Sequence, residues 1–282
     1  MRAFISDVHA NLEALCAVME DIEQHDVQEI ICLGDIVGYG PDPETCIDRI
    51  MEKVEITLMG NHDYALIHNP DNFNPMAAEL IYLTQEMMDP RKHQDDRGAD
   101  ICESHVCNCV HEGEVPHCLL LRQSKDSRWK FIEGLPERHQ EDGILCIHGS
   151  PLDPIFEYLM PERLISGRKA QQILPQFAGF EGFAFNGHTH LPCAITDDLA
   201  CIFPSDCGCR LMFDPSKKYI VNVGSVGQPR DGDNRACYLL LDDEARSVEW
   251  RRVSYDIQTT ICKLNKMCGN GNRCGPRLLV GR

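Results

Sequence analysis

Short apolar runs that stop at a polar residue alternate along the chain with longer stretches whose apolar positions recur every three or four residues. Residues 2–6 form such a run, ended by Asp7. Asn11 then offers a side-chain oxygen to the first amides of a predicted helix, and Leu12, Leu15, Cys16, Met19 and Ile22 keep one face of it. Residues 29–33 repeat the arrangement, with Gly34 and Asp35 at the end, a loop bearing Gly and Pro, and a predicted helix near residues 44–53. Residues 54–59 read as a third strand closed by Gly60. Further on, residues 143–147 lead into His148, and residues 182–185 into Asn186 and Gly187. Helical spacing predicts helices over residues 75–88 and about 161–174. The final third turns to strands, near residues 193–196, 219–223, 236–241 and 247–253, where hairpins fit. The expected architecture is α+β, a single domain over residues 1–282 with two sheets sandwiched between helices, an αββα layering.

Composition narrows the classes. With 43% hydrophobic and 25% charged residues in 282, the chain is an ordinary globular protein, neither disordered nor fibrous. Lys and Arg total 27 against 44 Asp and Glu, and the net charge of −17 opposes general attraction to nucleic acid or an anionic membrane. No apolar run approaches the roughly 20 residues of a spanning helix. The opening MRAFISDVHA lacks the apolar core of a signal peptide, so the expected location is cytoplasmic.

Cysteine is abundant, at 16 residues. Without an export signal the expected forms are reduced thiols or metal ligands. Cys16, Cys32, Cys46 and Cys146 sit singly in apolar patterns and read as small buried hydrophobes. Cys102, His105, Cys107, Cys109, His111, His117 and Cys118 crowd a Cys/His-rich insertion at about residues 90–125, while Cys193, Cys201, Cys207 and Cys209 form a second group and Cys262, Cys268 and Cys274 a third. None has the paired spacing of a zinc ribbon, so a thiol-rich insertion is favoured over a structural metal.

The chemistry gathers at strand ends. Five blocks occur in order: Asp7-Val8-His9, Gly34-Asp35, Gly60-Asn61-His62-Asp63, His148-Gly149 and Gly187-His188-Thr189-His190. Residues distant in sequence converge beyond the carboxyl ends of strands in an open sheet. Carboxylate, amide oxygen and imidazole suit first-row divalent ions of intermediate hardness. On an extended segment Asp7 and His9 point to one side, as do His188 and His190, so each pair holds one ion or straddles two.

These blocks, with ISDVHANLEAL, GDIVGYGPDP, HGSP and NVGSVGQPRDGD, resemble the calcineurin-like metallophosphoesterase superfamily, and within it the small bacterial phosphodiesterase branch. The resemblance implies a metal-dependent phosphoric ester hydrolase acting on a small phosphoester, with phosphodiesters preferred. It implies two divalent transition-metal ions, Mn favoured over Fe, Zn, Co or Ni, sharing a hydroxide nucleophile. Asp7, His9 and His190 would hold one ion, Asn61, His148 and His188 the other, and Asp35 would bridge them. His62 would stand near the leaving oxygen as the catalytic imidazole, the alternative being a structural histidine bonded to Asp63. The protein serine/threonine phosphatases of the superfamily carry G-D-x-V-D-R-G where this chain has Gly34-Asp35-Ile36-Val37-Gly38-Tyr39-Gly40, so the Asp that orients their histidine and their phosphate-gripping Arg are absent. Arg230 is the substitute anion contact, with pairing to Asp231 or Asp233 as its alternative. Other readings of the whole are a metal-dependent nuclease, which wants a basic groove, and a scaffold keeping the fold without the chemistry.

Overall fold

A computed structural model describes residues 1–71, 73–88, 126–161, 172–268 and 273–282. The insertion at about 90–125 lies outside them, as does most of the helix expected near 161–174; a 3₁₀ helix follows over Leu174–Gly179.

Two mixed six-stranded sheets face each other. The first has the order β3 (Ile56–Thr57), β2 (Glu29–Cys32), β1 (Arg2–Ile5), β11 (Ala236–Asp242), β12 (Ser247–Val253), β9 (Arg210–Met212). The second runs β4 (Arg138–Glu141), β5 (Ile144–Ile147), β6 (Phe183–Asn186), β10 (Tyr219–Asn222), β7 (Cys193–Thr196), β8 (Cys201–Ile202). β1, β2 and β3 are parallel in the first sheet, and β5, β6 and β10 in the second. The third strand is shorter than expected. Only Ile56 and Thr57 pair regularly with β2, and Met59 N–H turns away to Pro136 O at 2.9 Å.

Strand alternation divides the core into layers. Phe4, Ile31, Leu33 and Leu58 point between the sheets and meet Ile144, Cys146, Phe185 and Val221 from the other side. Phe4 and Phe185 stack across the gap with centroids 4.3 Å apart. Ala3 and Ile5 face outward to helix α1 (Leu12–Ile22), helix α2 (Pro43–Lys53) and a helix at residues 126–133. Asn11 caps α1 as expected, its Oδ1 accepting from Ala14 N–H at 3.2 Å. On the far side, Leu145, Ile147, Ala184 and Ile220 pack under Phe177 and Phe180.

Four helices were not expected from the pattern: the helix at 126–133, α3 (Asn61–Ile67), Ile257–Cys268 and Cys274–Val280. The last two join α4 (Pro75–Met88) in a cluster of Leu80, Leu264, Cys274 and Leu278 packed against Tyr39. Among the described residues no helix is long and apolar enough to cross a membrane.

Candidate metal centre

Parallel strands bring their carboxyl ends to one end of the sandwich. Asp7 and His9 follow β1, Asp35 follows β2, and Asn61 and His62 open α3 after β3. His148 follows β5, and His188 and His190 follow β6. All are buried.

The backbone corrects one expectation. β1 ends at Ile5, and Asp7, His9 and Ala10 take left-handed φ values of 54°, 48° and 52°; Asp35, His188 and His190 do the same at 55°, 66° and 59°. Turns rather than strand alternation aim these side chains. Left-handed backbone costs about 1–2 kcal/mol per non-glycine residue and needs support around it. Support comes from zippering the loop after β1 to that after β2: Asp7 N–H to Gly34 O at 3.0 Å, His9 N–H to Asp35 O at 2.9 Å, Ala10 N–H to Ile36 O at 2.7 Å. Close approach does the rest. A Cβ at Gly60 would overlap the Asp35 carboxylate, and one at Gly187 would overlap the Ser6 hydroxyl.

Four imidazoles each spend one ring nitrogen on a main-chain carbonyl. Nδ1 of His9 donates to Val37 O at 3.1 Å, Nδ1 of His148 to Leu33 O at 3.0 Å, and Nδ1 of His190 to Gln228 O at 2.5 Å. His188 is reversed, its Nε2 donating to Phe156 O at 3.2 Å. The remaining nitrogen of each neutral ring is then a lone pair, and all four point inward. They form two groups. Asp7, His9 and His190 make one, with His190 Nε2 at 3.2 Å from Asp7 Oδ1 and at 3.1 Å from His9 Nε2. Asp35, His148 and His188 make the other, which Asn61 joins with its Oδ1 at 3.1 Å from His148 Nε2. His188 and His190 therefore face different groups, while Asp7 and His9 face the same one. Asp35 lies between, its Oδ2 at 3.6 Å from His9 Nε2 and at 3.4 Å from His148 Nε2.

A buried set made only of acceptors is unsatisfied without positive charge. The titration directions agree. Burial opposes ionisation of Asp7 and Asp35, yet the surrounding imidazoles, His190 foremost for Asp7 and His148 foremost for Asp35, together outweigh it and hold both carboxyls below the usual range. Burial likewise disfavours a charged His148, but Asp35 and Asp7 push its pKa up to about 9. Burial, then the neighbouring His148, takes His188 down to about 3. Carboxylate, amide oxygen and imidazole lone pairs around two adjacent points fit a pair of divalent cations.

His62 clusters with His9 and Asp35 but departs from this hydrogen-bonding pattern. Its ring is wedged among those of His9, Tyr39 and Phe73, with centroids 4.7, 4.7 and 4.9 Å away, and its Nδ1 has no hydrogen-bond partner. That atom occupies the space a side chain at position 38 would need, so Gly38 is obligatory there. The alternative bond to Asp63 does not form. The Asp63 carboxylate instead accepts the N–H groups of Ile36, Val37 and Gly60 at 3.0, 3.2 and 3.1 Å, pinning the start of α3 to the loop after β2. Burial lowers the His62 pKa to about 4.

Arg230 follows β10 and donates its backbone N–H to His190 O at 3.3 Å. Neither carboxylate proposed as its partner takes it: Asp231 pairs with Arg252 and Asp233 with Arg235. Its guanidinium instead holds Gln228 Oε1 at 2.8 Å and lies 5.8 Å from the centre of the Tyr39 ring.

The model of the calcineurin-like phosphoesterase family matches residues 2–192. The chain belongs to that family. It is also similar to the metallophosphoesterase of Sphaerobacter thermophilus, at 32% identity and a TM-score of 0.73, covering 100% of this chain and 98% of that one. A curated relative, the uncharacterized protein MJ0912 of Methanocaldococcus jannaschii, is 31% identical over 293 residues, spanning 100% of this chain and 98% of its own. The hypothetical protein PH1004 of Pyrococcus horikoshii shares the fold, with a TM-score of 0.62 at 18% identity, over 100% of this chain and 99% of that one.

The buried His and Asp clusters of this metallophosphoesterase are consistent with the dimetal site typical of its family. Among the described residues no cysteine joins a group of three or more metal-ligating side chains. Several contributors left little trace in the sequence. The carbonyls of Leu33, Val37, Phe156 and Gln228 orient the imidazoles but carry no residue-type signal. Asp63 leaves one signal, an acid three positions after Gly60, which gains meaning only once α3 is seen to start there.

Proposed function

We propose that the protein hydrolyses small phosphodiesters with the help of two divalent ions, Mn favoured. The observation that carries this reading is the convergence of inward lone pairs on two adjacent points, each backed by a carbonyl on the far side of its ring. Asp7, His9 and His190 would hold one ion, Asn61, His148 and His188 the other, and Asp35 both. The ions, when bound, acidify a shared water and neutralise charge on the phosphoryl oxygens. The side chains do the rest. His62, kept neutral by burial, offers a ring N–H to the leaving oxygen as a hydrogen-bond donor. Arg230, bonded to the neutral Gln228, is the anion contact beside His190. The net charge of −17 favours a small ester over a polynucleotide, which would call for a basic groove.

The test is metal analysis of the purified protein together with turnover of bis(p-nitrophenyl) phosphate against p-nitrophenyl phosphate. Two equivalents of transition metal and faster cleavage of the diester are expected. Faster cleavage of the monoester would overturn the preference, and no cleavage of either with metal bound would favour a scaffold.

A further inference from the structure

The loop after β5 sets two large rings at the mouth of the centre. Phe156 and Tyr158 are 43% and 41% exposed. Neither hangs loose. Glu157, between them, accepts from the Ser150 hydroxyl at 2.5 Å and from the Gln176 amide at 2.8 Å. The Asp153 carboxylate accepts the Phe156 N–H at 2.9 Å, and the Phe156 carbonyl is the acceptor for His188. Tyr158 lays its ring on the His188 imidazole, with centroids 3.5 Å apart and planes inclined by 29°. Tyr64, in the first turn of α3, meets Phe156 edge-on at 5.2 Å and 84°.

Exposed rings fixed by hydrogen bonds differ from rings exposed by chance, since fixing them costs entropy that burial does not repay. The wall is continuous with the centre through His188. It comprises three rings, far short of the roughly 800 Å² per side of a stable protein interface, and matches one planar ring system. Flat π-faces, one already stacked on an imidazole, recognise another flat ring by stacking.

We propose that Tyr158, Phe156 and Tyr64 form a subsite for a planar aromatic group, an aryl ring or a nucleobase, carried by the substrate. The inference rests on the phosphoesterase reading, which supplies the phosphoryl end of the same molecule.

The probes are phenylphosphonate, the methylenephosphonate analogue of adenosine 5′-phosphate, and ethylphosphonate, whose C–P bonds resist hydrolysis. Calorimetric titration into the Mn-loaded protein should show both aromatic compounds binding about tenfold to a hundredfold more tightly than ethylphosphonate. Tighter binding of the adenosine compound than of phenylphosphonate would identify a nucleobase, and the reverse a simple aryl ring; either supports the subsite. Tyr158→Phe should keep the preference, and the double variant Phe156→Leu with Tyr158→Leu should erase it. Equal affinities for the three probes in the wild type, or a preference undiminished in the double variant, overturn the subsite alone. A Mn-loaded protein that binds no phosphonate and cleaves no phosphoester overturns the phosphoesterase reading and the subsite with it.

Discussion

The Nε2 atoms of His9 and His190 lie 3.1 Å apart, on rings whose other nitrogens are committed to Val37 O and Gln228 O. Facing lone pairs at that distance repel unless a proton or a cation comes between them. Stripped of metal, the site must therefore take up protons, and His148 is the ring best placed to do so. Burial opposes its charge, but Asp35 and Asp7 raise its pKa from the ordinary 6.5 to about 9. A pKa raised on folding stabilises fully below the unfolded value and is lost as pH climbs through the folded one. The Tm of chelator-treated protein is accordingly expected to fall between about pH 6.5 and 9, and Mn added at the alkaline end to restore it. A Tm that stays level across this window would remove His148 as the proton acceptor.

The Asp35 carboxylate faces imidazoles of both groups, so Asp35→Asn should cost both ions. The amide keeps an oxygen for His62 N–H, which Asp35 Oδ1 now accepts at 2.7 Å, and the fold should survive. Expected results are a circular dichroism spectrum like the wild type, near-complete loss of metal after gel filtration, and kcat reduced by more than about 10². Two equivalents retained would show that Asp35 is not shared.

His62 lies against His9 and Asp35, but it is not one of the four rings held by a main-chain carbonyl, and its Nδ1 has no hydrogen-bond partner. His62→Ala should leave metal content unchanged while lowering kcat by the ~10² to 10³ of a lost hydrogen-bond donor to a developing oxyanion. The deficit should shrink for diesters whose leaving groups are acidic and need no donor. A uniform deficit across leaving groups would instead point to displaced Tyr39 and Phe73.

The seam between the sheets carries the stability argument. Phe4 is fully buried and stacked on Phe185, so Phe4→Ala should cost about 3–5 kcal/mol in urea denaturation. Met51→Ala, at a residue 43% exposed, should stay within about 0.5 kcal/mol. Comparable losses in the two variants would place the core elsewhere.

The parts legible in the sequence were those where a short apolar run breaks at a metal-ligating residue. β1, β2, β5 and β6 all do this, which is why Asp7, Asp35, His148 and His188 could be placed at strand ends. The parts that escaped had other physics. α3 spans seven residues, too few for helical periodicity to show, and Gly60 resembled a strand terminator more than a helix cap. The helix Ile257–Cys268 does carry Ile257, Ile261 and Leu264 at helical spacing, but its threonines read equally well as strand. Asp7 and His9 do face one group, but through left-handed turns rather than an extended segment, because such turns are set by distant partners, here the carbonyls of Gly34 and Asp35. The Tyr158 stack on His188 joins residues 30 positions apart in unrelated elements and leaves no local signature.

The left-handed residues around the centre set the terms on which this protein could be improved. Asp7, His9, Ala10, Asp35, His188 and His190 all hold a backbone shape that glycine would adopt freely. Glycine at His9 would ease the turn but empty a buried site and loosen the unfolded chain, so relief of the strain brings no cheap gain in stability. Gains in heat resistance should therefore gather away from this end of the sandwich, in changes that leave these turns and their buried side chains alone.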